Sequence, residues 1–159
     1  MSKKKRSVFW VVSTHVLTTG FAMPAVAGMF GAPLVEMYPS AGVGFLLALG
    51  CQALGYIVGG YYSLSYIRKA ALIEQPMACV KPSIITFVVL AVFGFAVNVA
   101  LLFGSRLRSM NAIIGIVGLV VFYVVISLAF AKITQRGFRM IGYYQGDADQ
   151  HRYAVNRPK

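Results

Sequence analysis

Few side chains in this sequence could do chemistry, and they lie far apart. His15, Gln52 and Asn98 are neutral polar residues inside long apolar stretches, and Tyr123 adds a phenol in another such stretch. An imidazole can relay protons or sense pH near neutrality. A series of amides and hydroxyls at successive depths could line a hydrophilic path, so these four are the candidate path residues. The competing reading is structural, with each group making one hydrogen bond between helices worth ~0.6–2 kcal/mol. Counted at about 1.5 Å per residue, His15 lies about 10 Å and Tyr123 about 12 Å from the same boundary. Tyr123 is therefore one expected partner for His15, beside Ser13, Thr14 and Thr18. The apolar stretches hold no carboxylate to stabilise an imidazolium, so His15 is expected to be neutral and turned into the protein.

Other constellations are weaker. Asp147, Asp149 and His151 fall within five residues, but the spacing matches no closed metal site and reads as a solvated tail. No metal or cofactor is expected. Cys51 and Cys79 lie twenty-eight residues apart at different depths, which argues for packing rather than a disulfide. No serine, histidine and acid share one side, and the glycines lie in apolar stretches rather than in a phosphate-binding turn. A proton-coupled exporter would need a carboxylate in its spans, and a quinone-linked disulfide oxidoreductase would need a cysteine pair facing outward. Neither is present, and an enzyme is not expected.

The elements that position these residues follow from the charges. Of the 159 residues 58% are apolar and 12% charged, against roughly 45–50% and about 25% in soluble domains. Residues 7–35, 37–67, 82–105 and 109–131 contain no Asp, Glu, Lys or Arg. Each run exceeds the ~20 apolar residues that cross a bilayer as a helix. The expected fold is an all-α integral membrane protein with four transmembrane helices at about 8–30, 42–66, 83–104 and 110–131. The short links near 31–41 and 105–109 arrange them as two antiparallel hairpins. Residues 132–159 form a basic cytoplasmic tail.

The bases sort by side. Lys3, Lys4, Lys5, Arg6, Arg68, Lys69, Lys81, Lys132, Arg136, Arg139, Arg152, Arg157 and Lys159 fall on one side, and only Arg106 and Arg108 on the other. By the positive-inside rule both termini are cytoplasmic, in a membrane expected to be a bacterial inner membrane. Lys69, Lys132, Arg136 and Arg139 stand at span ends and are expected to meet anionic lipid headgroups, not nucleic acid. Ala25-Val26-Ala27 resembles a signal-peptidase site. The uncharged run continues past it to Val35, so a retained first helix is expected.

Small residues mark the packing faces. Cys51, Gly55, Gly59 and Ser63 repeat every four residues, with Gly55–Gly59 a GxxxG pair; Ala96, Ala100 and Gly104 repeat likewise. Such stripes let backbones approach where lipid removes the hydrophobic incentive. Gly55, Gly59, Ser63 and Gly104 are the candidate packing positions, either within the chain or towards a partner. Pro24 should kink the first span. Lys132, Arg136 and Arg139 begin a short amphipathic extension, which Gly142 and Gly146 should end. The expected function is a non-enzymatic membrane subunit or accessory factor, docking through glycine-rich faces into a homo-oligomer or larger complex. The second expectation is a small facilitator or flippase for a neutral or lipid-linked solute.

Overall fold

The computed structural model describes residues 4–37, 41–104 and 112–155. Within these, the side chains of residues 4, 32, 34–36, 41, 101–104, 112 and 147–155 are not described. Four helices are long and apolar enough to cross a membrane: Val8–Gly31, Gly42–Ala70, Pro76–Ala100 and Ile113–Gly146. They follow the charge-free runs, as expected for segments that satisfy their backbone groups internally.

Helix α1, Val8–Leu17, starts at Ser7, whose Oγ accepts a hydrogen bond from the Trp10 amide. A π turn, Thr18–Ala22, joins it to α2, Met23–Met37. Pro24 explains the turn. It has no N–H for the Gly20 carbonyl, and its ring would crowd that carbonyl in a regular helix. A widened turn relieves the conflict, and the Met23 amide bonds to the Thr18 carbonyl instead. The expected disturbance thus falls in the turn before the proline. Ala25-Val26-Ala27 lies within α2.

Helix α3, Ala41–Ala70, runs for 30 residues, about 45 Å. Beyond it, β2 (Ala71–Leu72) pairs in parallel with β1 (Lys4–Lys5) near the N-terminus. The Arg6 amide extends the pairing by donating to the Leu72 carbonyl at 3.2 Å. The other edge of β2 is met by a side chain: the Gln145 amide donates to the Ala71 carbonyl at 3.0 Å and accepts from the Ile73 amide at 3.1 Å. A 3₁₀ turn, Pro76–Cys79, leads into α4, Val80–Gly104.

The last helix, α5, runs unbroken from Ala112 to Val155, 44 residues or about 66 Å. This corrects the expectation that Gly142 and Gly146 end it. No described glycine takes a positive φ, and a glycine in a helix costs only about 1 kcal/mol relative to alanine. Packing offsets that cost, since a Cβ at Gly137 would overlap Leu64 and one at Gly142 would touch Pro76. Thr134, Phe138, Ile141 and Gln145 are all buried. The packed core therefore extends past residue 131, where the tail was expected to begin.

The core gathers Val11, Val16, Ile67, Phe87, Leu119, Phe130, Phe138 and Ile141, none more than 2% exposed. Large apolar residues also face outward in number, among them Phe9, Met29, Phe30, Phe93 and Ile113, each at least 70% exposed.

Candidate functional site

His15 is fully buried and joins three helices. Its Nδ1 lies 2.7 Å from Ser63 Oγ on α3, and its Nε2 lies 2.9 Å from Thr134 Oγ1 on α5. One tautomer satisfies all three contacts at once. With Nδ1 protonated, Ser63 Oγ accepts from it and keeps its own proton for the Gly60 carbonyl at 3.0 Å, and the bare Nε2 accepts the Thr134 hydroxyl proton. Thr19 Oγ1 stands 3.4 Å from Ser63 Oγ and completes the group. These partners replace the expected Tyr123. Ser63, expected as a packing residue, is the pivot of this network.

A column of rings leads away from the histidine. Its ring stacks on Phe130 at 5.0 Å and meets Phe138 edge-on at 5.6 Å. Phe130 stacks on Phe87 at 3.8 Å, Phe87 meets Tyr56, and Tyr56 leads through Phe122 to Tyr123. At that end Asn98 Nδ2 donates to Tyr123 Oη and to the Gly94 carbonyl, each at 2.9 Å. Of the four candidate path residues, Asn98 and Tyr123 thus come together, while His15 stands apart beyond aromatic rings. Gln52 is half-buried, and no hydrogen bond ties it to another described residue.

The small-residue stripe of α3 faces the first apolar segment along its length. A Cβ on Gly55 would come within 3.0 Å of Ala27, Met23 and Pro24 atoms, and one on Gly59 within 3.1 Å of Met23 and Thr19. Gly31 meets Cys51 at one end of this ladder, and Ser63 meets His15 and Thr19 at the other. The ladder descends one segment as it climbs the other. On α4 the expected stripe differs: Ala96 and Ala100 are exposed, and Gly104 lies where side-chain surroundings are not described. Gly94 makes the close approach instead, since a Cβ there would sit 2.8 Å from Tyr123 Oη. Its spacing to Asn98 was the available signal, because residues four apart share a helix face.

The described cations cluster around the β1–β2 end. Arg6 lies over the Trp10 ring, Arg68 lies over the Tyr144 ring, and exposed Lys5 pairs with exposed Glu74. A half-open groove of about 320 Å³ runs between α3 and α5, with Arg68, Lys132 and Arg136 among its lining residues. Of the four expected headgroup residues, Lys132 and Arg136 line this groove. Lys69 and Arg139 are exposed but are not part of its lining. Arg68 was the residue missed, although it stands beside Lys69 at the end of a charge-free run.

Cys51 and Cys79 are both free thiols, the second buried. Among the described residues no three His, Cys, Asp or Glu side chains come together. The side chains of Asp147, Asp149 and His151 lie outside the described residues. No family model matches this chain, and neither a curated protein nor a solved structure matches it.

Proposed function

We propose that this chain is a small integral membrane protein without enzymatic activity. It acts as a subunit or accessory factor of a homo-oligomer or larger complex in a bacterial inner membrane. Its helices cross as two antiparallel hairpins, with both termini cytoplasmic and the cationic end against anionic lipid.

The observation that carries this reading is the occupied interior among the described residues. His15 is bonded at both ring nitrogens within the chain, and rings in successive contact, Phe130, Phe87, Tyr56 and Phe122, stand between it and the Tyr123–Asn98 pair. Recognition is then left to the outer surface, where large apolar side chains are exposed. The Gly55–Gly59 face is covered by the chain's own first segment, so docking uses other glycines. Gly28, Gly50 and Gly118 have open space before them and would admit a partner helix closely.

Two experiments test it. In a background lacking Cys51 and Cys79, single cysteines at Ser40 and Ala154 report sidedness. Labelling at 154 by an impermeant reagent in intact cells would defeat the orientation. Mild-detergent purification with mass determination should recover a stoichiometric partner or a defined homo-oligomer; a lone monomer would defeat the accessory role. The second reading, a facilitator or flippase for a neutral or lipid-linked solute, is favoured by the amphiphilic groove between α3 and α5. It predicts flux in proteoliposomes containing this chain alone.

A further inference from the structure

The groove between α3 and α5 combines cationic and apolar lining residues. Its lining includes three cations from two helices. Arg68 stands in the last turn of α3, while Lys132 and Arg136, four residues apart, share one face of α5. Leu64, Ile133 and Tyr61 add apolar surface to the lining. Arg68 follows the charge-free run 37–67, and Lys132 and Arg136 follow the run 109–131; with Gly60 against Ile133 and Gly137 against Leu64, Arg68 falls about two turns beyond Lys132 along the groove. The helices are held together there by Gly137, whose missing Cβ leaves room for Leu64, and by Gly60 against Ile133.

No described acid pairs with these three cations. Glu74 is the one acidic residue whose side chain is described, and it pairs with Lys5. Arg68 also lies over the Tyr144 ring, 5.3 Å from its centroid. Guanidinium groups bind phosphate oxygens in a forked geometry, and a lysine adds a point charge. A groove of about 320 Å³ is at the small end of ligand sites. It fits a headgroup and the start of its chains, with the remainder leaving through the open side.

We infer that this groove is a specific site for an anionic phospholipid, its headgroup lying among Arg68, Lys132 and Arg136 and its first methylenes along Leu64 and Ile133. The inference rests on the membrane placement proposed above but not on the accessory role. It also separates these three cations from Lys69 and Arg139, which supply only diffuse attraction.

The test is native mass spectrometry of the detergent-purified full chain, offered equimolar phosphatidylglycerol and phosphatidylcholine. Retention of phosphatidylglycerol is expected, with about a tenfold or greater loss in the triple variant Arg68→Gln/Lys132→Gln/Arg136→Gln. A charge-matched control, Lys69→Gln/Lys81→Gln/Arg139→Gln, should retain it. Melting in detergent checks that both variants fold. If the triple variant does not fold, Arg136→Gln alone replaces it and should weaken retention measurably. Equal loss in the two triple variants, or equal retention of both lipids, would overturn the site. Displacement of the lipid by millimolar inorganic phosphate would assign the groove to a soluble phosphate and overturn the lipid. Release of the chain from membranes by alkaline carbonate would instead overturn the membrane placement.

Discussion

Gly55 and Gly59 on α3 bring backbone against backbone, whereas Gly94 on α4 brings backbone against a phenol. The first contact is a continuous seam. It runs for roughly three turns, from Cys51 to Ser63, and ends where Ser63 and Thr19 meet His15. The second contact is a single site, where the missing Cβ makes room for Tyr123 Oη and the amide of Asn98 secures it. The comparison teaches that glycine serves two ends in helices of this kind. Where it repeats every four residues it sets the distance between helices; where it stands alone beside a polar residue it admits one side chain. Periodicity by itself does not separate these uses, since α4 also carries a small-residue stripe at Ala96 and Ala100, and that stripe is exposed.

The seam is where a substitution should cost most. Gly55→Leu would place atoms on the Met23 carbonyl oxygen and Pro24 Cα, which are backbone and cannot turn aside. A loss of about 3 kcal/mol is expected, the upper end for overpacking, read as a lower midpoint in reversible SDS unfolding from micelles. An unchanged midpoint would place the two helices farther apart than described here.

At the end of the seam, His15→Leu removes the partner of two buried hydroxyls on two helices. The loss should be about 2 kcal/mol, within the range for stranding buried polar groups, by the same measurement. Thr134→Ser keeps the hydroxyl that bonds Nε2 and should cost much less. If the two variants matched, the histidine would contribute by packing alone.

The lone glycine offers a sharper test. Gly94→Ala should cost about 1–2 kcal/mol through overlap with Tyr123 Oη. Adding Tyr123→Phe removes the overlapping atom, so the double variant should be more stable than Gly94→Ala alone. No such rescue is expected for Gly55→Leu with any side-chain truncation, because its neighbours there include backbone. Failure of the rescue would mean that the ring rather than the hydroxyl fills the space.

The smallest effect concerns the two polar groups themselves. Several rings separate His15 from Tyr123. In a double-mutant cycle, His15→Leu and Tyr123→Phe should therefore add to within about 0.5 kcal/mol. His15→Leu with Ser63→Ala should couple well beyond that. The reverse result would restore the pairing expected from depth alone.

Depth counting failed for His15 for a geometric reason. It gives the height of a residue along its own helix but not the direction in which it points, and four helices leave several partners at each height. Ser63 stands in the small-residue stripe, where spacing marks its small volume and not its hydroxyl. Thr134 lies beyond the expected end of the last span, outside the partners that depth alone offers. The same boundary hid the extent of α5. Lysine and arginine mark where lipid would end, which is not where a helix must end. The π turn was legible only as a proline fault, since Pro24 shows that one carbonyl loses its partner but not how the chain absorbs the loss. The two short strands left no trace, because two-residue elements carry no periodicity.

The sequence by itself determined the number of membrane-length helices, their limits to within a few residues at most ends, and the sorting of cations towards one end. These follow from solvation, which acts on each residue separately: a charge is costly in an apolar layer wherever it occurs. Only the tertiary structure decided which polar groups meet, which glycines are covered and which cations share a groove. Those depend on the relative rotation of neighbouring helices. That rotation is set by many small contacts at once, among them Leu64 in the space at Gly137, Met23 at Gly59 and the Gln145 amide on the edge of β2. No local stretch of sequence contains both partners of any such contact.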